Sequence, residues 1–261
     1  MTTLLTSLDT RGVASIALNR PEVHNAFDDA VIAELNAAID SFARHPDVRL
    51  LVLRAEGKSF SAGADLGWMR RMASYSRENN LADARELERL MRGLYDFPKP
   101  TLAVVQGAAY GGAVGLVSCC DIVIASESAS FSLSEVKLGL APAVISPFVI
   151  AAMGARQAGR YFLTAERFSA VTARELGLVH EVVAHDSLQE SCDGMVDTLL
   201  ANGPVALMVC KSLLHYVSAA TSPELAAYTT ELIASLRTSQ EGQEGLTAFF
   251  EKRQPAWQKK I

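Results

Sequence analysis

Two short clusters of small residues could bind an oxygen atom that gains negative charge during a reaction. Residues 61–64 read SAGA and residues 111–113 read GGA, and each cluster lies where a strand-like run passes into a helix-like run. The first N–H groups of a helix have no partner within the helix and lie at its positive end, so both turns can donate hydrogen bonds to a carbonyl or anionic oxygen. Two such turns that converge would form an oxyanion hole. The alternative is that the glycines only permit tight packing.

The patterns around these turns predict an α/β fold. Strand-length apolar runs lie at residues 13–18, 50–53, 102–105, 121–125 and 181–183. Helix-like spacing is found at residues 31–42, 81–94, 147–153, 156–163, 173–176, 188–201, 205–218, 223–236 and 240–251. LVLRAEGKSFSAGADL and LAVVQGAAYGGAVGL each place an apolar strand before a glycine-containing turn and a helical segment. Strands therefore alternate with helices in the first half, and the remainder is mostly helical.

Three spaced motifs, SFSAGADL, QGAAYGGAVGLVSCCDIVIA and ASFSLSEVKLGLAP, resemble the enoyl-CoA hydratase/isomerase family, the crotonases. The resemblance extends from NRPEVHNAFD to GLTAFFEKRQPAW. It implies a crotonase-like repeated ββα core over residues 1–195 and a helical C-terminal region for trimerisation over residues 196–261. It also implies a coenzyme A thioester whose carbonyl oxygen is bound by the backbone N–H groups of Ala64 and Gly112. Such donors gain strength as the enolate charge develops.

Hydratases of this family commonly carry two glutamates, and this sequence departs from that pattern. Gly115 occupies the first position, whereas Glu135 occupies the second and becomes the sole general acid/base candidate. The alternative for Glu135 is a solvated acid that stabilises the first turn of a helix. One carboxylate can serve both halves of a hydration, but it equally suits double-bond isomerisation. Asp65 is expected to stabilise a helix start, and Asp121 to anchor structure.

The segment LSEVKLGLAPAVISPFVIAAMG, with GWM and Gly115, resembles bacterial hydratases of methylglutaconyl-CoA and isohexenylglutaconyl-CoA, which act in leucine and acyclic terpene breakdown. This likeness favours a branched glutaconyl thioester, with a Δ3,Δ2-enoyl-CoA isomerase or a general enoyl-CoA hydratase as alternatives. The substrate's far carboxylate would help to position water or the chain, with Arg70 and Arg71 as candidate partners. The residues expected to line the acyl pocket are Trp68, Met69, Met72, Val144, Pro147 and Phe148; ordinary core packing is the alternative for each.

Coenzyme A needs local basic groups although the formal net charge is −5. Lys252 and Phe249 lie in AFFEKR, a segment that in the family reaches coenzyme A from a neighbouring subunit. The backbone of Ala62 would face the adenine by the same resemblance. A homotrimer or a hexamer, as a dimer of trimers, is therefore expected. Solvated surface charge is the alternative for the basic residues.

Several other classes of protein lack support in the sequence. The acidic balance argues against nucleic-acid and membrane binding, since those rest on clustered basic residues. The five histidines lack metal-ligand spacing, and no G-x-S-x-G, G-x-G-x-x-G or P-loop pattern occurs. Glycines and Gln106 interrupt the uncharged stretch 102–120, which predicts buried elements rather than a membrane span. We therefore expect a cytoplasmic enzyme with no metal and no cofactor, coenzyme A being part of the substrate.

Overall fold

The computed structural model describes residues 2–219 and 224–258, and its strands form two sheets. The strands are β1 (Leu4–Leu8), β2 (Val13–Leu18), β3 (Leu50–Ala55), β4 (Thr101–Val105), β5 (Ala108–Tyr110), β6 (Ile122–Ser126), β7 (Ser130–Ser132), β8 (Phe168–Ser169) and β9 (Glu181–Val183). The helices are α1 (Asp29–Arg44), α2 (Leu66–Met72), α3 (Arg77–Tyr95), α4 (Gly112–Cys119), α5 (Ser146–Met153), α6 (Ala155–Thr164), α7 (Ala170–Glu175), α8 (Leu188–Leu200), α9 (Pro204–Ala219), α10 (Glu224–Thr238) and α11 (Gln240–Glu251). Short 3₁₀ helices cover Pro21–Val23, Glu135–Leu138 and His185–Ser187.

The larger sheet has the strand order β1-β2-β3-β4-β6-β9. The edge strand β1 is antiparallel to β2, and the other neighbours pair in parallel. Every residue of β4 is buried, as expected for a parallel strand with both faces covered. The stretch 102–120, which is uncharged, is divided among β4, β5 and α4, so the prediction of separate buried elements is confirmed. Within the ranges described above, no helix is long and apolar enough to cross a membrane.

The smaller sheet has the strand order β5-β7-β8, and its strand β5 directly precedes the small-residue turn at residues 111–113. The strand β7 pairs in parallel with β5 and antiparallel with β8. The sequence patterns predicted none of these three strands, nor β1. The strands β5 and β7 have 3 residues each and β8 has 2, which is too short for alternation of apolar and polar residues to be recognised.

Helix α8 crosses the boundary that was predicted between residues 195 and 196. Its buried residues Leu188, Cys192, Val196 and Leu199 recur at helical spacing and pack against one face of the larger sheet. Because this one apolar stripe continues through residue 196, the helix cannot be divided there. The predicted helical C-terminal region therefore begins after Leu200, with α9.

A buried ion pair connects α9 to the larger sheet. Lys211 is 7% exposed, and its Nζ donates to Asp121 Oδ2 at 2.8 Å. The same carboxylate oxygen accepts from the backbone N–H of Thr101 at 2.8 Å and from its hydroxyl at 2.9 Å. The prediction that Asp121 anchors structure is confirmed. The C-terminal helical segments are also confirmed, although the predicted start of one of them at Pro223 lies outside the described residues.

Candidate active site

The two small-residue turns lie at the same edge of the larger sheet. The first turn follows β3 and leads into α2, and the second follows β4 and leads through β5 into α4. Strands β3 and β4 are parallel neighbours, with Leu51 paired to Thr101. The carboxyl ends of neighbouring parallel strands meet at one edge, which is where ligands bind in open α/β sheets. The topology thus explains why turns about fifty residues apart in the sequence come together.

Backbone hydrogen bonds hold the turns side by side. The N–H of Ser61 donates to the carbonyl of Ala108 at 3.0 Å, and the N–H of Tyr110 donates back to the carbonyl of Ser61 at 3.0 Å. On the other side of the first turn, the N–H of Phe27 donates to Gly63 and the N–H of Asp65 donates to Phe27. The first turn is therefore fixed from both sides.

Two glycines permit this close approach. Gly63 has φ +91°, and a Cβ atom added to it would lie 2.8 Å from the carbonyl oxygen of Tyr110. Gly111 has φ +54°, and a Cβ atom there would lie 3.4 Å from Glu135 Oε1. Side chains rarely adopt these φ values, and at Gly63 a side chain would also displace the neighbouring turn. Backbone geometry therefore requires glycine at both positions.

The N–H groups of Ala64 and Gly112 remain available to a ligand. The bonds of Phe27 and Asp65 use the residues on either side of Ala64, and Gly112 is the first residue of α4. In the part of the chain that the structure describes, neither N–H donates a backbone hydrogen bond. Ala64 and Gly112 both line a cavity of about 240 Å³. This arrangement is what an oxyanion hole requires.

Glu135 lines the same cavity, at the start of a 3₁₀ helix that follows β7. The N–H of Gly111 donates to the carbonyl of Ser132 at 2.8 Å, which links β7 and therefore Glu135 to the second turn. The carboxylate oxygen Oε2 of Glu135 is buried and has no hydrogen-bond partner. Burial raises the pKa of Glu135, opposed by a hydrogen bond to its own backbone N–H. A half-buried carboxyl group with one unpaired oxygen is a candidate general acid/base.

Asp65, directly after Ala64, caps helix α2. Its Oδ1 accepts from the N–H groups of Gly67 at 2.8 Å and Trp68 at 3.2 Å, and its Oδ2 lies 3.3 Å from a guanidinium nitrogen of Arg20. Burial raises the pKa of the Asp65 carboxyl group, but these hydrogen bonds and Arg20 outweigh that effect and lower the pKa overall. The predicted role at a helix start is confirmed.

Position 115, where many hydratases of the family have the first glutamate, is filled from outside its helix. A Cβ atom added to Gly115 would lie 2.3 Å from Ile145 Cγ2 and 3.1 Å from Met91 Sδ. Ile145 is buried and lines the cavity. An apolar wall therefore stands where a second carboxylate would lie.

Most of the residues that line the cavity are apolar. Its lining residues are Phe27, Ala64, Trp68, Met72, Asn80, Asp83, Ala84, Leu87, Gly112, Glu135, Ala141, Pro142, Ala143, Val144 and Ile145. Trp68, Met72 and Val144, which were predicted to line an acyl pocket, all line this cavity. The volume lies below the ~300–1,000 Å³ typical of pockets for drug-sized ligands, which favours a short acyl chain.

Met69 and Phe148 were predicted to line this pocket and do not. Trp68 and Met72 are separated by one helical turn of α2 and face the cavity, whereas Met69 points away from that face. Phe148 is buried, with its ring 5.3 Å from Tyr95. Pro147 does not line the cavity either, because residues 141–145 reach it just before α5 begins.

Helix α3 contributes a polar wall of the cavity that was not predicted from the sequence. Asn80, Asp83 and Leu87 share one face of this helix and all line the cavity. Trp68 Nε1 donates to Asp83 Oδ2 at 3.1 Å, which ties α2 to α3. The spacing of Asn80, Asp83 and Leu87 could have indicated a shared face, but nothing local shows that this face meets α2.

The residues expected to contact coenzyme A do not line the cavity of this chain. Ala62 is exposed, and its N–H donates to the carbonyl of His24 at 2.9 Å. Phe249 is 77% exposed on α11, and Lys252 is the exposed residue that ends this helix. Arg71 is paired with Asp29 at 2.5 Å and, like the exposed Arg70, lies outside the cavity lining.

Comparison with known proteins gives consistent matches over the whole chain. The sequence profile of the Enoyl-CoA hydratase/isomerase family matches residues 9–260. A solved enoyl-CoA hydratase from Shewanella pealeana is 51% identical with a TM-score of 0.94, and the match covers 98% of this chain and 96% of that one. Mevalonyl-coenzyme A hydratase of Aspergillus fumigatus is 34% identical over 97% of this chain and 94% of its own. The trans-2-decenoyl-acyl-carrier-protein isomerase of Streptococcus mutans is 32% identical over 94% of both chains.

Proposed function

The chain belongs to the enoyl-CoA hydratase/isomerase family, and we propose that, as a lyase of this family with the crotonase fold, it adds water to the double bond of a short enoyl-CoA thioester. One observation carries the proposal. Glu135, with a buried and unpaired carboxylate oxygen, lines the same small cavity as the free N–H groups of Ala64 and Gly112.

The two N–H groups act on the thioester carbonyl. When water adds to the β carbon, electrons move through the conjugated system and negative charge collects on the carbonyl oxygen. Fixed donors at Ala64 and Gly112 stabilise that charge without having to reorganise, and one such donor typically contributes about 10²- to 10³-fold in kcat. Phe27 fixes the first turn through backbone hydrogen bonds with Gly63 and Asp65, and its ring lies against Gly112 of the second turn.

Glu135 carries the proton. As the water oxygen bonds to the β carbon, the Glu135 carboxylate takes one proton from that water. The α carbon of the enolate then takes a proton from the Glu135 carboxyl group, which returns to its charged form. Water and double bond are consumed, the product is a 3-hydroxyacyl thioester, and the enzyme is unchanged. No cofactor is needed in this scheme, because coenzyme A enters and leaves as part of the substrate.

Isomerisation is the second candidate, and the apolar wall at Gly115 and Ile145 favours it. With no second carboxylate to hold water, Glu135 could instead take a proton from the α carbon of a 3-enoyl thioester and return it to the γ carbon. The identity to the Streptococcus mutans isomerase fits this chemistry. Both reactions use the same oxyanion hole.

A branched glutaconyl thioester, and with it a place in leucine or acyclic terpene breakdown, is the finer expectation from the sequence. The lone Glu135 supports it, because the substrate would bring a second carboxylate. The position of the candidate cations weakens it: Arg71 is paired with Asp29, and neither Arg70 nor Arg71 lines the cavity. We therefore propose uncharged short enoyl thioesters as the preferred substrates over glutaconyl thioesters.

For the remainder of coenzyme A we propose a site completed by a second subunit. Phe249 on α11 and Lys252, directly after this helix, are exposed and do not line the cavity, so they are free to reach a neighbouring molecule in a homotrimer or a dimer of trimers. The backbone of Ala62 would face the adenine. Light scattering coupled to size-exclusion chromatography measures the oligomeric state, and a monomer that hydrates with full activity would contradict this part of the proposal.

The deciding experiment follows product mass with two thioesters. Crotonyl-CoA gains the mass of one water if it is hydrated. 3-Hexenoyl-CoA keeps its mass if it is only isomerised, and chromatography separates the 2-enoyl product from the starting material. Hydration of crotonyl-CoA supports the first proposal, whereas isomerisation without hydration supports the second. Absence of both reactions would contradict both.

A further inference from the structure

The far wall of the cavity carries a carboxylate held in a fixed position. Asp83 is half-buried on α3, and its Oδ2 accepts a hydrogen bond from Nε1 of Trp68, a residue that is 4% exposed. Its Oδ1 has no protein partner within residues 2–219 and 224–258. The indole fixes one oxygen, the other makes no hydrogen bond to the described residues, and Asp83 lines the cavity, so this side chain can accept a hydrogen bond from a ligand there.

The described residues that line the cavity include no cation to offset this charge. Among the described residues that line it, the charged side chains are Asp83 and Glu135, and both are acids. Arg71 is bound to Asp29 and Arg20 to Asp65, and Arg70 is exposed outside the cavity lining, so none of these three arginines offsets the charge. An acyl chain that ends in a carboxylate would have to lose its hydration next to like charges.

We propose that Asp83 is a specificity-determining residue that makes the cavity select enoyl thioesters with an uncharged acyl chain over dicarboxylic ones. An acyl chain with a hydroxyl group at its end is the class that the site fits best, because that hydroxyl can donate to Asp83 Oδ1. The inference rests on the proposed function for its substrates, but it concerns the far end of the acyl chain and not the reacting atoms.

The test uses three thioesters of equal chain length: 2-pentenoyl-CoA, 5-hydroxy-2-pentenoyl-CoA and glutaconyl-CoA. For the natural chain we expect kcat/KM for glutaconyl-CoA to be at least about tenfold below both others, since like-charge contacts are strongly unfavourable. Asp83→Asn keeps an oxygen that can accept from Trp68 and removes the charge. This variant should reduce the ratio of kcat/KM for 2-pentenoyl-CoA to kcat/KM for glutaconyl-CoA by about tenfold. Its kcat/KM for 2-pentenoyl-CoA itself should change by less than about threefold.

Glu88→Gln is the matched control, because Glu88 is an exposed acid of the same helix that does not line the cavity. It should leave all three kcat/KM values unchanged. Equal or better turnover of glutaconyl-CoA by the natural chain, or an unchanged ratio in Asp83→Asn, would overturn the inference.

Binding provides a readout that is independent of turnover. Valeryl-CoA and glutaryl-CoA are saturated five-carbon analogues, and calorimetry gives the Kd of each. Glutaryl-CoA should bind at least about tenfold more weakly to the natural chain, and Asp83→Asn should reduce that difference. If no enoyl thioester reacts but this preference is present, the proposed function fails and the specificity inference stands. If the preference is absent, the inference fails whatever the activity.

Discussion

Ile145 occupies the space that a side chain at Gly115 would need: an added Cβ atom would lie 2.3 Å from Ile145 Cγ2 and 2.8 Å from Ile145 Cβ. Position 115 is buried within α4, and Ile145 directly precedes α5. A carboxylate side chain at position 115 would therefore collide with a residue thirty positions further along the chain. Restoring a carboxylate at 115 requires that both positions change together.

We expect Gly115→Ala to reduce the free energy of unfolding by about 1–3 kcal/mol, the usual cost of overpacking a core. Gly159→Ala is the matched control, because Gly159 lies in α6 with nothing within 4 Å of an added Cβ. That control should be neutral or stabilise the protein by up to about 1 kcal/mol through helix propensity. Combining Gly115→Ala with Ile145→Ala should cost less than the sum of the two single changes. Urea unfolding gives the free energy of unfolding of Gly115→Ala, Ile145→Ala, the double variant and Gly159→Ala. If the losses of the first two variants simply add in the double variant, the contact between positions 115 and 145 is contradicted.

Removing the acid at Glu135 should stop the chemistry and leave binding intact. We expect Glu135→Gln to lower kcat by about 10²- to 10⁴-fold, the usual contribution of a general acid/base, while the Kd of a saturated thioester stays similar. Glu127→Gln, at an exposed acid outside the cavity lining, is the control and should retain full activity. Turnover equal to the natural chain in folded Glu135→Gln would refute the assignment.

The pH dependence follows from the raised pKa of Glu135. Burial disfavours the charged carboxylate, so Glu135 keeps its proton to a higher pH than an ordinary glutamate does. Hydration begins with the charged form, and kcat/KM should therefore fall as the pH is lowered through this raised pKa. The inflection should lie above about 4.3, the value of an unperturbed glutamate. An acid limb at or below that value would mean that the reacting carboxylate is not buried.

The same shift predicts the sign of a stability effect. A raised pKa means that the folded state binds the proton more tightly than the unfolded state does, so burial of Glu135 destabilises the fold increasingly as the pH rises through that pKa. Glu135→Gln removes the buried charge. Its free energy of unfolding should exceed that of the natural chain at neutral pH, and the difference should shrink in acid. Denaturant unfolding at two pH values measures this, and a constant difference would contradict it.

The sequence alone was sufficient for those parts of the site that depend on local pattern. The two turns are recognisable because small residues follow apolar strands, and the donors are backbone groups that need no particular side chain. Asp121 and Asp65 were assigned structural roles that their hydrogen bonds confirm. The order of strands and helices followed from apolar periodicity in the same way.

What the sequence could not supply are pairings between distant segments. Asp83 belongs to the site only because α3 lies against α2, where Trp68 meets it. Met69 was included with its cavity-facing neighbours Trp68 and Met72 because local sequence does not show which face of a short helix meets the cavity. The predicted boundary between residues 195 and 196 falls within α8, whose apolar stripe packs on the sheet in a way that local composition does not reveal.

Lys252 should act on the coenzyme A part of the substrate, without a change in chemistry. Its neighbour Arg253 is bound to Glu244 at 2.7 Å, and that guanidinium lowers the pKa of Glu244 to about 2, whereas no carboxylate partner of Lys252 occurs in the described residues. Lys252 has φ +54°, so Lys252→Asn tests the charge with less backbone strain than alanine would introduce. We expect a higher KM for crotonyl-CoA with little change in kcat.

Crotonyl-pantetheine, which lacks the adenine nucleotide and its phosphates, is the matched substrate for Lys252→Asn. The KM for crotonyl-pantetheine should be the same for the variant and the natural chain, because this substrate lacks the phosphates that Lys252 would contact. Equal KM values for crotonyl-CoA would show that Lys252 is a solvated surface charge.

The donor at Gly112 can be tested separately from the space around it. A Cβ atom added to Gly112 would lie 2.7 Å from Cζ of the Phe27 ring, so any substitution there displaces Phe27. Gly112→Ala introduces this contact and keeps the N–H, whereas Gly112→Pro introduces it and removes the N–H. The comparison between these two variants isolates the hydrogen bond.

We expect kcat for Gly112→Pro to be about 10²- to 10³-fold below that of Gly112→Ala, the usual effect of one oxyanion donor. Circular dichroism establishes that both variants are folded, and the Kd of a saturated thioester should differ little between them, because the donor acts mainly on charge that develops in the transition state. If two folded variants turn over equally, the oxyanion is held by another group and Gly112 serves only to admit the Phe27 ring.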